Sequence, residues 1–197
     1  IRQSLVGSEM CIRDSYGLCF ALSGFVSLVY EVVWARLLAV HLGTTTKGHT
    51  VVIATFMGGL GLGYALFGRL SDRSERPLRL YASLEGAIAL SALLTPMWVS
   101  WTEALPWLSV LCILLPTTLM GGTLPALTSA LAQRETPGPT IAWLYGVNAL
   151  GAVGGVLWAG FWAVEHLGVL QTNHLAAGLN ALLALFALYL GRAQPRR

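Results

Sequence analysis

A chain of 197 residues with 55% hydrophobic and only 11% charged side chains cannot dress a soluble surface, because an average soluble domain carries about 25% charged residues. The net charge of +3 comes from arginines set beside apolar runs, a pattern of membrane topology rather than of phosphate binding, so no nucleic-acid partner is expected. Cys11, Cys19 and Cys112 fit neither a disulfide framework nor a zinc site, and the pattern points to no metal, no cofactor and no catalytic residues.

Residues 1–15, IRQSLVGSEMCIRDS, are polar and lack the apolar run of a signal peptide. The string resembles a translated sequencing-adapter remnant. It is expected to be non-native or a disordered tail, with the folded chain starting near Tyr16.

Six apolar stretches follow, at 16–40, 49–68, 78–99, 106–131, 141–163 and 171–190. A bilayer core of about 30 Å needs about 20 apolar residues per helix, so each is long enough to cross. The expected fold is all-α and polytopic. Residues 16–191 form one six-helix transmembrane domain, and 192–197 are a cytoplasmic tail or the start of a further domain.

The first span carries Glu31 in SLVYEVVWARLL. A charge at the bilayer centre costs about 2.5–3.5 kcal/mol on insertion scales, so Glu31 must face protein or water, be neutral, or have a partner. Arg36 lies five residues on, about 140° around a helix turning 100° per residue, so the two do not share a face. The second span holds the small-xxx-small pair Gly59/Gly63, and the fifth holds Gly151/Gly155. In lipid such pairs let two backbones approach and gain dispersion contact. The second and fifth spans are the middle members of two consecutive triplets. An odd number of crossings per triplet makes the triplets inverted with respect to each other, as in a three-plus-three repeat.

Glu85 in the third span and Asn148 in the fifth each lie seven residues from the same side, which predicts a hydrogen bond between them. In the fourth span Pro116 and Pro125 are expected to kink the helix, with Thr117, Thr118 and Thr123 satisfying freed carbonyls. Thr117 and Thr118 lie close to the depth of Glu31. The candidate substrate or ion pathway is therefore Glu31, Thr117, Thr118, Glu85 and Asn148.

Arg69, Arg73, Arg76, Arg79, Arg134, Arg192, Arg196 and Arg197 fall on one side of a six-span chain, and only Lys47 falls in a connector on the other. Positive charge stays cytoplasmic, which puts both termini inside a bacterial cytoplasmic (inner) membrane. Trp98, Trp101, Trp107, Trp158 and Trp162 are expected at the outer interface. His41, His49, His166 and His174 also fall near the outer side, without the spacing of a ligand pair.

The connector GRLSDRSERP resembles the signature loop of the major facilitator superfamily. Gly68, Asp72 and Arg73 match it, Arg76 stands for a later basic position, and Glu75 replaces the second glycine. By that resemblance these four matching residues form a gating loop. Four stretches in order widen the likeness: SGFVSLVYEVVWARLL, FMGGLGLGYALFGRLSDR, LPTTLMGGTLPALTSAL and WLYGVNALGAVGGVLWAGF. Together they resemble the membrane domain of bacterial fused facilitator/spermidine-synthase-like proteins. In that family a multi-span domain precedes a soluble aminopropyltransferase-like domain.

The resemblance implies a six-helix, facilitator-like half that anchors such an enzyme and passes a small cation such as a polyamine. No α/β stretch follows GRAQPRR, so the catalytic domain is expected to be absent from this chain. The alternatives are a transporter half acting as a homodimer and a non-transporting scaffold. In every case the lipid bilayer is the surrounding medium.

Overall fold

The computed structural model describes residues 2–42, 46–102, 105–132 and 137–192. Helices α1 (Arg2–Leu42), α2 (Thr46–Arg73) and α3 (Pro77–Trp101) make the first three crossings. The fourth is split into α4 (Pro106–Gly121) and α5 (Thr123–Ala132). The fifth runs through α6 (Pro137–Trp158), a π-helical turn (Ala159–Ala163) and α7 (Val164–His166). The sixth is α8 (Val169–Arg192). Six helical segments are long and apolar enough to cross a bilayer: Arg13–Ala39, Gly48–Arg73, Pro77–Trp101, Trp107–Leu131, Gly138–His166 and Val169–Arg192. The protein is a multi-pass, all-helical membrane protein, as the apolar runs predict.

Helix α1 begins at Arg2, so the residues set apart at the sequence level continue the first helix, where no proline interrupts them, while the apolar span starts at Arg13. Proline marks helix starts where its missing N–H costs nothing: Pro77, Pro106 and Pro137 each stand at or next to the first helical position. The fourth crossing shows what an internal proline does. Pro116 sits within α4 without ending it, whereas the helix is interrupted at Gly122, three residues before Pro125. Pro125 cannot donate to the carbonyl of Gly121 and its ring crowds that turn. Thr117 donates to the carbonyls of Ile113 (2.8 Å) and Leu114 (3.0 Å), Thr118 to Leu114 (2.7 Å) and Thr123 to Met120 (2.7 Å). The threonine hydroxyls thus serve carbonyls beside the two that the prolines release.

The crossings pair in a regular way. Helix α1 packs along α6, α2 along α4, and α3 along α8. Helix α8 also packs on α1, and α4 on α3. Exchanging the first three crossings for the last three maps the α1–α6 contact onto α2–α4 and the α1–α8 contact onto α3–α4. It returns α3–α8 to itself. Two glycine pairs make the first two contacts close. A methyl group on Gly151 would strike the carbonyl oxygen of Ala21, and one on Gly155 that of Phe25. On the other seam Gly59 lies against Thr117, Gly63 against the backbone of Thr118, and Gly121 against that of Leu60. At Gly63, Gly121, Gly151 and Gly155 backbone meets backbone, the packing that lipid favours, while at Gly59 the Thr117 side chain fills the space.

Candidate functional site

Polar groups inside a bilayer must be satisfied by other protein groups, so the hydrogen bonds between crossings locate the places where the sequence departs from a plain apolar bundle. Two such layers tie α1, α3 and α8 together. In the inner layer Glu85 of α3 is fully buried. Ser23 of α1 donates to its Oε1 at 2.7 Å, and the Asn180 amide of α8 donates to its Oε2. Tyr81, one turn before Glu85, stands beside the carboxyl and donates to the Cys19 carbonyl at 3.4 Å. In the outer layer Trp34 of α1 donates to Asn173 Oδ1 at 3.1 Å, and Asn173 donates to the Ala92 carbonyl of α3 at 2.8 Å. Trp34 is stacked on Tyr30, with ring centroids 4.8 Å apart.

The predicted partnership of Glu85 with Asn148 is not formed. Asn148 instead donates to the Phe20 carbonyl of α1 at 2.9 Å and lies over Gly24. The physical reason is the pairing of helices. The fifth crossing lies along α1, so its asparagine meets α1 backbone, while α3 lies along α8 and meets Asn180. Equal depth was legible in the sequence, but the neighbouring helix was not. Ser23, Asn173 and Asn180 were missed. Their signal was present, since each is a polar residue within an apolar run of a crossing.

Thr117 and Thr118 do not hydrogen-bond to Glu31. Their hydroxyls turn back onto their own helix, and Thr117 is packed over Gly59. Glu31 itself is half-buried, eight residues from Ala39 and so about 12 Å from the C-terminal end of its span at 1.5 Å per residue. Among the described side chains it has no hydrogen-bond or ion-pair partner. Arg36 is exposed toward the C-terminal end of the same helix. A shallow dent between α1 and α2, lined by Ala35, Leu38, Val52 and His49, begins one turn after Glu31.

In the gating-loop candidate Asp72, Arg73 and Arg76 are exposed at the end of α2 and in the turn after it. Ser129 of α5 lies 3.5 Å from Asp72 Oδ1, a long contact between the ends of the second and fourth crossings. Gly68 has open space where a side chain would stand. Arg134, Arg196 and Arg197 lie outside the described residues, as do the side chains of Lys47, His41 and Cys11. At the other end, the π-helical turn in the fifth crossing leads into an aromatic ladder. Trp158 stacks with Trp162 at 6.0 Å, and Trp162 with His166 at 5.2 Å.

The chain is similar to a polyamine aminopropyltransferase of Corynebacterium efficiens, with 31% identity over 166 residues. The match covers 81% of this chain and 32% of that enzyme, so the chain spans about a third of the length of its curated relative. No family model matches the chain, and no solved structure does.

Proposed function

We propose that this chain is the membrane domain of a spermidine-synthase-like protein, which anchors an aminopropyltransferase-like domain and passes a small organic cation such as a polyamine. The similarity to a polyamine aminopropyltransferase over most of this chain carries the reading. Glu31 supplies the counter-charge in it. An intramembrane carboxylate that is partly open and has no partner among the described residues calls for a cation or water, and such residues mark ion and substrate pathways by default. Glu85 and Asn148, bound within the bundle, hold the helices that frame this path, and Thr117 and Thr118 set the spacing of the second and fourth crossings.

The arginines between the second and third crossings support a bacterial inner-membrane orientation with both termini cytoplasmic. Asp72, Arg73, Arg76 and Gly68 then lie at the cytoplasmic end, where the Asp72–Ser129 contact acts as the gate between α2 and α5. A second reading rests on the exchange relation among the crossings. It fits a three-plus-three inverted repeat of facilitator type, and a transporter half of that kind acts as a dimer.

Proteoliposomes containing the protein should take up labelled putrescine, and Glu31→Gln should abolish uptake while leaving the melting temperature unchanged. Equal uptake by both proteins removes Glu31 from the mechanism. No uptake by either leaves the anchor alone.

A further inference from the structure

The inner polar layer differs from the Glu31 region in depth of burial and in hydrogen-bond partners. Glu85 is sealed from solvent on all sides. The groups that face it are Ser23 from α1, Tyr81 from its own helix and Asn180 from α8, with Tyr30 and Cys19 of α1 nearby. None of them is a cation, and no ion pair reaches the site among the described residues. A buried carboxylate without a counter-ion costs several kcal/mol, which hydrogen bonds from neutral groups do no more than offset.

One acceptor of the same cluster lacks a donor: Asn180 Oδ1 is buried and has no hydrogen-bond partner among the described residues. An ionised Glu85 adds only further acceptor sites to such a cluster, whereas a carboxylic acid contributes an O–H.

We propose that Glu85 is a proton-binding site, and that the bound proton makes Ser23, Glu85 and Asn180 a neutral clamp joining the first, third and sixth crossings. The acid and the Ser23 hydroxyl each carry a proton, so the 2.7 Å bond between them can run in either direction, and the other carboxyl oxygen accepts the Asn180 amide. No charge is buried, and three helices that are 62 and 95 residues apart in the chain are held at one depth. This does not depend on which cation, if any, passes Glu31. The two glutamates stand in different surroundings, one sealed among three helices and the other half-buried on α1.

Infrared spectra of the full chain in lipid nanodiscs, labelled with 13C-carboxyl glutamate, test this at neutral pH. The wild type and Glu31→Gln should show the carbonyl band of a protonated glutamic acid, and Glu85→Gln should lack it. A wild type with carboxylate bands only, or a band that survives in Glu85→Gln, overturns the proposal. Glutamine is a neutral near-isostere, so Glu85→Gln should melt close to wild type and Glu85→Ala well below it. Equal loss in both overturns the neutral clamp. Should Glu85→Gln fail to fold, Ser23→Ala serves instead. It leaves the carboxyl in place and should shift the acid band by removing one partner, whereas an unshifted band sinks the assignment.

Discussion

Two kinds of seam hold this bundle together, and they solve the same problem differently. The α1–α6 and α2–α4 seams close on glycine, with Gly151 and Gly155 against the carbonyls of Ala21 and Phe25, and Gly59 and Gly63 against Thr117 and Thr118. The α1–α3–α8 seam closes on hydrogen bonds, through Ser23, Glu85 and Asn180 in one layer and Trp34, Asn173 and the Ala92 carbonyl in the other. Lipid tails are as apolar as leucine, so burial alone does not drive helices together in a membrane. What remains is close backbone approach or exchange of polar groups. The glycine seams use the first between pairs of helices, and the polar seam uses the second among three.

Filling a glycine seam should do the most damage. Gly155→Leu drives a side chain into the Phe25 backbone, which cannot yield as a flexible side chain would, and should cost about 3 kcal/mol. Loss of monodispersity in detergent and a lowered melting temperature would register it, and an unaffected protein would show that the seam is looser than described. Breaking the inner polar layer comes next. Glu85→Ala orphans Ser23 and Asn180 and should cost about 2 kcal/mol, read by thermal denaturation in lipid.

The outer layer should matter less. Asn173→Leu removes the acceptor of Trp34 and a donor to Ala92, and membrane hydrogen bonds of this kind are worth about 0.6–2 kcal/mol each. Trp34 fluorescence should shift as its indole N–H loses its partner, and an unmoved spectrum would argue against that bond. The mildest change sits outside both seams. Gly61 on α2 has nothing within 4 Å of where a side chain would be, so Gly61→Ala should be neutral or slightly stabilising by helix propensity. A large loss there would mean that a further partner covers this face of α2.

Much of the glycine seams was legible in the sequence, and little of the polar seam was. Gly59/Gly63 and Gly151/Gly155 are local patterns, four residues apart on one helix, and their meaning needs no knowledge of the neighbour. Glu85 was recognisable as a residue that must have partners, and its depth was readable by counting. Its partners were not, because Asn148 and Asn180 both stand at compatible depths and only the helix order around the bundle separates them. Thr117 and Thr118 illustrate the converse. Depth placed them level with Glu31, while packing aims Thr117 at Gly59 and turns both hydroxyls onto their own helix.

The order, number and approximate limits of the crossings followed from sequence alone, because hydrocarbon thickness fixes how many apolar residues each must contain. The expected interruption by proline was local as well, although only the structure showed that the break falls at Gly122 and spares Pro116. Which helices adjoin, and therefore which carboxyl is sealed and which is left open, was decided by tertiary structure. A hydrogen bond between crossings requires two helices to be neighbours with matching rotation about their axes. Neither quantity is encoded by the spacing of residues along one strand of the chain.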